Sequence, residues 1–116
     1  MEVLERLDPD RIRELRSQDE FFWLDLESPG DADLDQLAEL LEIPPLAIQD
    51  TREFGQRPKI DDYGPRVLIV FYGAHDDRLV ELHVHVSGSE VVTVRRERCA
   101  PLWEALRRAR EAAPRT

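Results

Sequence analysis

The sequence is poor in the features that staple or anchor a chain. It holds one cysteine, Cys99, so no disulfide can form within it. That usage agrees with a reducing compartment. No Gly-rich or histidine-containing nucleophile motif surrounds Cys99, which reads as a small inert side chain. Long apolar runs are missing too. The most apolar stretch, Val67 to Tyr72, suits one buried strand and is too short for a membrane span. The start, MEVLERLDPD, has neither a basic region nor an apolar core, so no signal peptide is expected there. No Ser-His-Asp set, phosphate-cradling loop or dinucleotide fingerprint occurs, so nothing points to an enzyme or to an organic cofactor.

What is present is charge. Of 116 residues, 35% are charged and 41% hydrophobic, and the net charge is −9. Residues 1–116 are expected to form one soluble domain, long enough to bury a core without disulfides or metals. The C-terminal stretch from Arg95 runs against the general sign, with seven arginines opposed by Glu97, Glu104 and Glu111. The acidic remainder argues against nucleic acid as a partner and allows cations or a basic protein face.

Local patterns divide the chain into alternating elements. Residues 1–7 suit a short edge strand. Asp8-Pro9 is an N-cap followed by proline at N1, with Ile12 and Leu15 as the apolar stripe of a short helix. Phe21 to Glu27 alternates as a strand, with Phe22, Leu24 and Leu26 on one face and Trp23 and Asp25 on the other. Ser28-Pro29-Gly30-Asp31 predicts a helix start with Ser28 as the cap, and Leu34, Leu37 and Leu41 recur at helical spacing. Pro44-Pro45 stops that helix and starts another from Leu46 to about Glu53, with Leu46, Ala47 and Ile48 as its apolar positions. Gly55 suits a left-handed C-terminal residue.

Val67 to Tyr72 predicts a central strand covered on both faces, followed by a polar connection from Gly73 to Arg78. Leu79 to Val86 alternates, with Glu81, His83 and His85 on one side. Ser87-Gly88-Ser89 turns into a returning strand over Val91 to Val94. Leu102, Leu106 and Ala109 mark a last helix that Pro114 ends. Strands separated by helices and closed by a hairpin predict an α/β fold, a mixed sheet covered by helices on its faces.

Two constellations are candidates for chemistry. His83 and His85 lie two apart on a strand, as in half of a zinc site, yet no further ligand stands at a matching spacing. The other reading makes them polar residues on a partly solvated sheet face. Asp31, Asp33 and Asp35 lack the glycine and glutamate of a calcium loop and fit the first turn of a helix better. Arg57 and Lys59 suit pairing with Asp61, Asp62 or Glu53.

One ordered set of segments resembles a known family. Trp23-Leu24-Asp25-Leu26-Glu27-Ser28-Pro29, Pro45-Leu46-Ala47-Ile48-Gln49-Asp50, Gln56-Arg57-Pro58-Lys59 with Tyr63, and Val92-Thr93-Val94-Arg95-Arg96-Glu97 stand in the order found in the soluble N-terminal domain of CorA-type magnesium transporters. The resemblance implies an α/β/α sandwich, a homopentamer, a place on the cytoplasmic side of the cell membrane, and no direct membrane contact by this part. Its partners would be neighbouring subunits and a stalk and transmembrane region. That stalk, two membrane helices and a Gly-Met-Asn pore motif would follow this domain, and the sequence holds none of them. This implies one piece of a longer protein.

By position Asp50 matches a carboxylate that binds regulatory Mg²⁺ between subunits, weakly and only at the interface, with cobalt as a further transported ion. Gln49 falls where a second acid stands in the better-studied branch, which puts a second ion position in doubt. The alternatives are a related zinc transporter domain and a stand-alone acidic interaction module.

Overall fold

The computed structural model describes residues 1–112, and Pro114, expected to end the last helix, lies outside them. The elements run β1 (Glu2–Leu4), α1 (Pro9–Ser17), β2 (Phe22–Glu27), α2 (Asp31–Leu41), α3 (Pro45–Arg52), β3 (Lys59–Asp62), β4 (Arg66–His75), β5 (Arg78–Ser87), β6 (Glu90–Arg95) and α4 (Ala100–Glu111). The strands form a six-stranded sheet in the order β1-β2-β6-β5-β4-β3. β1, β2 and β6 pair in parallel, and the β6-β5-β4-β3 half is antiparallel. This mixed pairing follows from the connections: helices carry the chain between parallel strands, and tight turns join the antiparallel ones.

One face carries α1, α2 and α3. Ile12 and Leu15 of α1, Leu34, Leu37 and Leu41 of α2, and Ala47 and Ile48 of α3 pack on Phe22, Leu24, Leu26, Val92 and Val94. Each such aliphatic side chain taken fully from water contributes roughly 1.5–3 kcal/mol. The other face carries α4, whose Leu102 and Leu106 meet Val80, Leu82 and Cys99, with Val3 and Trp23 at the margin. Gly73 permits this approach, because a Cβ placed there would stand 2.5 Å from the Cys99 sulfur.

The Asp8 cap and the helix start at Pro45 form as the sequence predicts; the Asp8 carboxylate accepts from the Arg11 amide at 3.3 Å. The start of α2 differs. Gly30 is the N-cap, and the Asp33 carboxylate accepts from its amide. Ser28 takes φ 47° instead, held by its amide on Arg95 O and its hydroxyl on Arg96 O. A contact to β6 thus displaces the local capping preference by two residues.

The apolar run is also placed differently. β4 is next to the β3 edge and extends to His75, so most of the predicted polar connection is strand and only Asp76-Asp77 turn the chain. Leu68 and Val70 are buried beneath the helical layer. On the opposite face α4 covers the region around Val80 and Leu82, and Phe71 stays 41% exposed beside Ile60 at 72%. Leu46 is likewise on the outside of α3, at 75% exposure.

Candidate functional site

α3 presents two faces because Thr51 points inward. Its hydroxyl donates to Ala47 O at 2.7 Å and meets His85 Nε2 at 2.7 Å. One residue earlier, Asp50 is half-buried at the edge of the helix, its side chain 18% exposed, with Gln49 exposed beside it. Arg52 ties the helix to α2 through Asp31 at 2.7 Å and through Asp35. The Gln56 side-chain amide closes the end of α3, donating to Asp50 O at 2.8 Å and Glu53 O at 2.7 Å.

Asp50 is not a bare carboxylate. Lys59, at the start of β3, places its ammonium 2.5 Å from Asp50 Oδ2 and 2.9 Å from Asp61 Oδ2. Those hydrogen bonds, to Asp50 first, hold the Lys59 ammonium well above the ordinary lysine range. Leu46, Gln49, Asp50, Glu53, Lys59, Asp61, Asp62 and Tyr63 line a cavity of about 430 Å³ at this place. Burial, then the charges of Asp61 and Asp50, push the Tyr63 hydroxyl up. The cavity thus joins four carboxylates with one lysine. Lys59 pairs with Asp61 as the sequence suggests, while its bond to Asp50, nine residues away, is not a pattern that spacing reveals.

His83 and His85 are both fully buried, which corrects the expectation of a partly solvated face. They lie under α3, not under solvent. His83 Nδ1 is 3.0 Å from Thr51 O and Nε2 is 2.6 Å from Glu81 Oε2. The ring stacks on Phe54 at 4.1 Å, and the Arg96 guanidinium lies over Phe54 at 4.4 Å. Cys99 is on the other face of the sheet, under α4, and His75 Nδ1 accepts from the Ala100 amide at 3.1 Å. The histidines and the cysteine therefore do not converge. Among the described residues no three His, Cys, Asp or Glu side chains are grouped to hold a metal ion. What Asp50 and Gln49 offer is a partial set, one carboxylate and one amide at an open cavity.

Glu81, on the same side of β5 as His83 and His85, has a contact set that spacing does not reveal. Its Oε1 accepts from the Gly55 amide at 2.7 Å and lies 3.0 Å from the Tyr72 hydroxyl; its Oε2 accepts from the Gln56 amide at 3.4 Å. Burial pushes the carboxyl up, but the hydrogen bonds from His83, Gly55, Tyr72 and Gln56 outweigh it and hold Glu81 below the usual range. What spacing does show is the placement: three polar residues alternate on the strand face that meets α3.

The chain is thus a mixed sheet between helical layers, with an acid-lined cavity where α3 meets β3. The family model described as CorA-like Mg²⁺ transporter protein matches residues 18–116, and the chain belongs to that family. A search of curated protein sequences finds no match. Among solved structures, the soluble domain of CorA from Methanocaldococcus jannaschii superposes with a TM-score of 0.65 at 15% identity, over 81% of this chain and 39% of that one. The full-length CmaX protein gives 0.63 at 20% identity, over 76% and 30%. The ZntB cytoplasmic domain from Vibrio parahaemolyticus gives 0.60 at 12% identity, over 74% and 39%. At these identities the likeness is one of fold, and the chain spans between 30% and 39% of the length of these proteins.

Proposed function

We propose that the chain is the cytoplasmic regulatory domain of a CorA-type magnesium transporter, and that it senses divalent cations at faces shared with neighbouring copies in a homopentamer. The observation that supports this best is the placement of Asp50 and Gln49 at an open cavity whose other charged residues are Glu53, Asp61, Asp62 and a single lysine. An incomplete donor set suits an ion shared with a second chain. Mg²⁺ is a hard cation that keeps several waters and takes only one or two protein carboxylates. Between two acidic faces it also relieves like-charge repulsion. Loss of the ion then lets the faces separate, which shifts the population of a membrane gate. The resemblance adds Co²⁺ as a transported ion.

The test is titration of the chain with Mg²⁺, read by sedimentation velocity and amide NMR. The expected result is association, with shifts centred on residues 46–63, both abolished by Asp50→Asn. Identical behaviour of the variant and the parent would overturn the assignment of Asp50. A zinc-transporting relative is the second reading, favoured by the fold likeness to the ZntB cytoplasmic domain. A parallel Zn²⁺ titration separates the two. The buried histidines lend that reading no support, since their ring nitrogens are turned into the protein.

A further inference from the structure

The segment between Asp50 and Lys59 is held from below by a pair of residues that touch neither. His83 Nδ1 faces Thr51 O at 3.0 Å, and a carbonyl oxygen only accepts, so this nitrogen carries a hydrogen. Nε2 faces Glu81 Oε2 at 2.6 Å. Two lone pairs do not sit at that distance, so one proton lies between the imidazole and the carboxylate. Donors on the Glu81 side, the Gly55 and Gln56 amides, favour the ionised carboxylate and place that proton on His83.

The pair grips the segment at two points. His83 holds the carbonyl of Thr51, the neighbour of Asp50. Glu81 holds the amides of Gly55 and Gln56, and Gln56 in turn donates to Asp50 O. Past Gln56 the chain reaches Lys59, whose ammonium clamps Asp50. Gly55 takes φ +94°, a backbone region that glycine enters without the cost other residues meet, which lets the chain turn between the two grips.

We propose that Glu81 and His83 are the positioning pair of the Asp50 site, and that the one proton they share makes the placement of Asp50 against Lys59 proton-linked. The link to cations rests on the reading of Asp50 given above; the link between the proton and the loop does not. When the proton passes to solvent, a carboxylate and a bare imidazole nitrogen confront each other in the interior. Glu81 then lets go of the Gly55 and Gln56 amides, and the Lys59 end of the loop loosens. Other groups around the pair modulate this. The Tyr72 hydroxyl on β4 donates to Gln56 O and lies 3.0 Å from Glu81 Oε1, Arg96 after β6 lies over the Phe54 ring that stacks on His83, and His85 on β5 is neutral beside Arg66 of β4, which Glu90 pairs.

The test uses the chain itself. Imidazole ¹⁵N shifts report the protons on His83, and hydrogen exchange reports Gly55 and Gln56. Where rising pH makes those shifts report loss of the shared proton, the protection of both amides is expected to fall about tenfold, while that of Val92 in β6 holds. Glu81→Gln keeps acceptors for Gly55 and supplies a donor to a neutral imidazole, so its protection profile is expected to be flat; His83→Gln gives the same comparison if that variant folds less well. A flat wild-type profile, or loss of protection at a midpoint unrelated to His83, would overturn the proposal. Mn²⁺ alone serves as a paramagnetic probe. Broadening around Asp50 should follow the same midpoint in the wild type and lose it in Glu81→Gln. Proton-linked protection with no broadening at Asp50 removes the cation reading and leaves the pair; broadening without proton-linked protection removes the pair and leaves the cation reading.

Discussion

His85 gives the chain a specific weakness toward acid. The Thr51 hydroxyl spends its hydrogen on Ala47 O, so the 2.7 Å contact with His85 Nε2 requires that nitrogen to donate. Nδ1 is then a bare lone pair, and among the described residues it has no partner. Burial, then the charges of Arg66 and His83, push the imidazole down from 6.5 to about 3. Between those values the unfolded chain takes up a proton that the folded chain refuses. Stability is therefore complete above about pH 6.5 and falls as pH drops toward 3, with a limiting slope of about 1.4 kcal/mol per pH unit. From pH 7 to pH 5 the loss from this one residue is about 2 kcal/mol, a large part of a typical domain stability of roughly 5–15 kcal/mol.

His85→Gln removes the titration and keeps an N–H for Thr51. Urea unfolding of both proteins at pH 7, 6 and 5 isolates the effect, because carboxylates titrate alike in the two and cancel. The variant is expected to be the weaker at pH 7. The gap between the two should then close or reverse by about 2 kcal/mol at pH 5. Parallel pH dependences would refute the reasoning.

Three further outcomes follow from contacts elsewhere. Asp25 accepts from the Thr93 hydroxyl at 2.6 Å and pairs with Arg95 at 2.9 Å, both within the sheet. Asp25→Ala removes the buried partner and leaves Arg95 paired with the exposed Glu27 at 2.6 Å, and should cost about 1–3 kcal/mol in urea unfolding. Gly73→Ala drives a methyl into the Cys99 sulfur and should cost about 1–3 kcal/mol, most of it recovered when Cys99→Ala is added, as a double-mutant cycle would show. Lys59→Gln removes the cation that already holds Asp50, so Mn²⁺ broadening around residue 50 should appear at a lower metal concentration than in the wild type.

Much of the fold can be read locally. Proline at N1 fixes where α1 and α3 begin, because it supplies helical φ and lacks an amide that the first turn leaves unpaired anyway; in α4 Pro101 stands at N2. Period-two alternation places Phe22, Leu24 and Leu26 toward the helices. What the pattern cannot show is what lies over a face. The run from Val67 to Tyr72 has apolar residues on both sides, yet α4 crosses only part of the sheet, so Phe71 remains half in water. The same gap produced the error at His83 and His85: alternation puts them on one side and does not say that Thr51, Phe54 and Glu81 close over them. Ser28 failed for a different reason, a long-range bond to β6 outweighing a local cap.

The candidate site divides along the same line. Asp50 and Gln49 come from the order of motifs; Gln49 is exposed and Asp50 half-buried beside it. The counter-ion does not. Lys59 already satisfies Asp50 and Asp61, so a group of three charges stands there with a net charge of −1. On the proposed function, a divalent ion must either displace the ammonium or add its charge beside it. Displacement exchanges one charge for two and leaves a lysine to be solvated; addition meets repulsion from the ammonium. Both weaken binding at a lone copy of the chain. A second acidic face changes the balance, because its carboxylates attract the dication twice as strongly as they attract the lysine. Lys59 would then make the response to divalent ions conditional on assembly, and the loop that carries it, held by Glu81 and His83, would set how readily it yields.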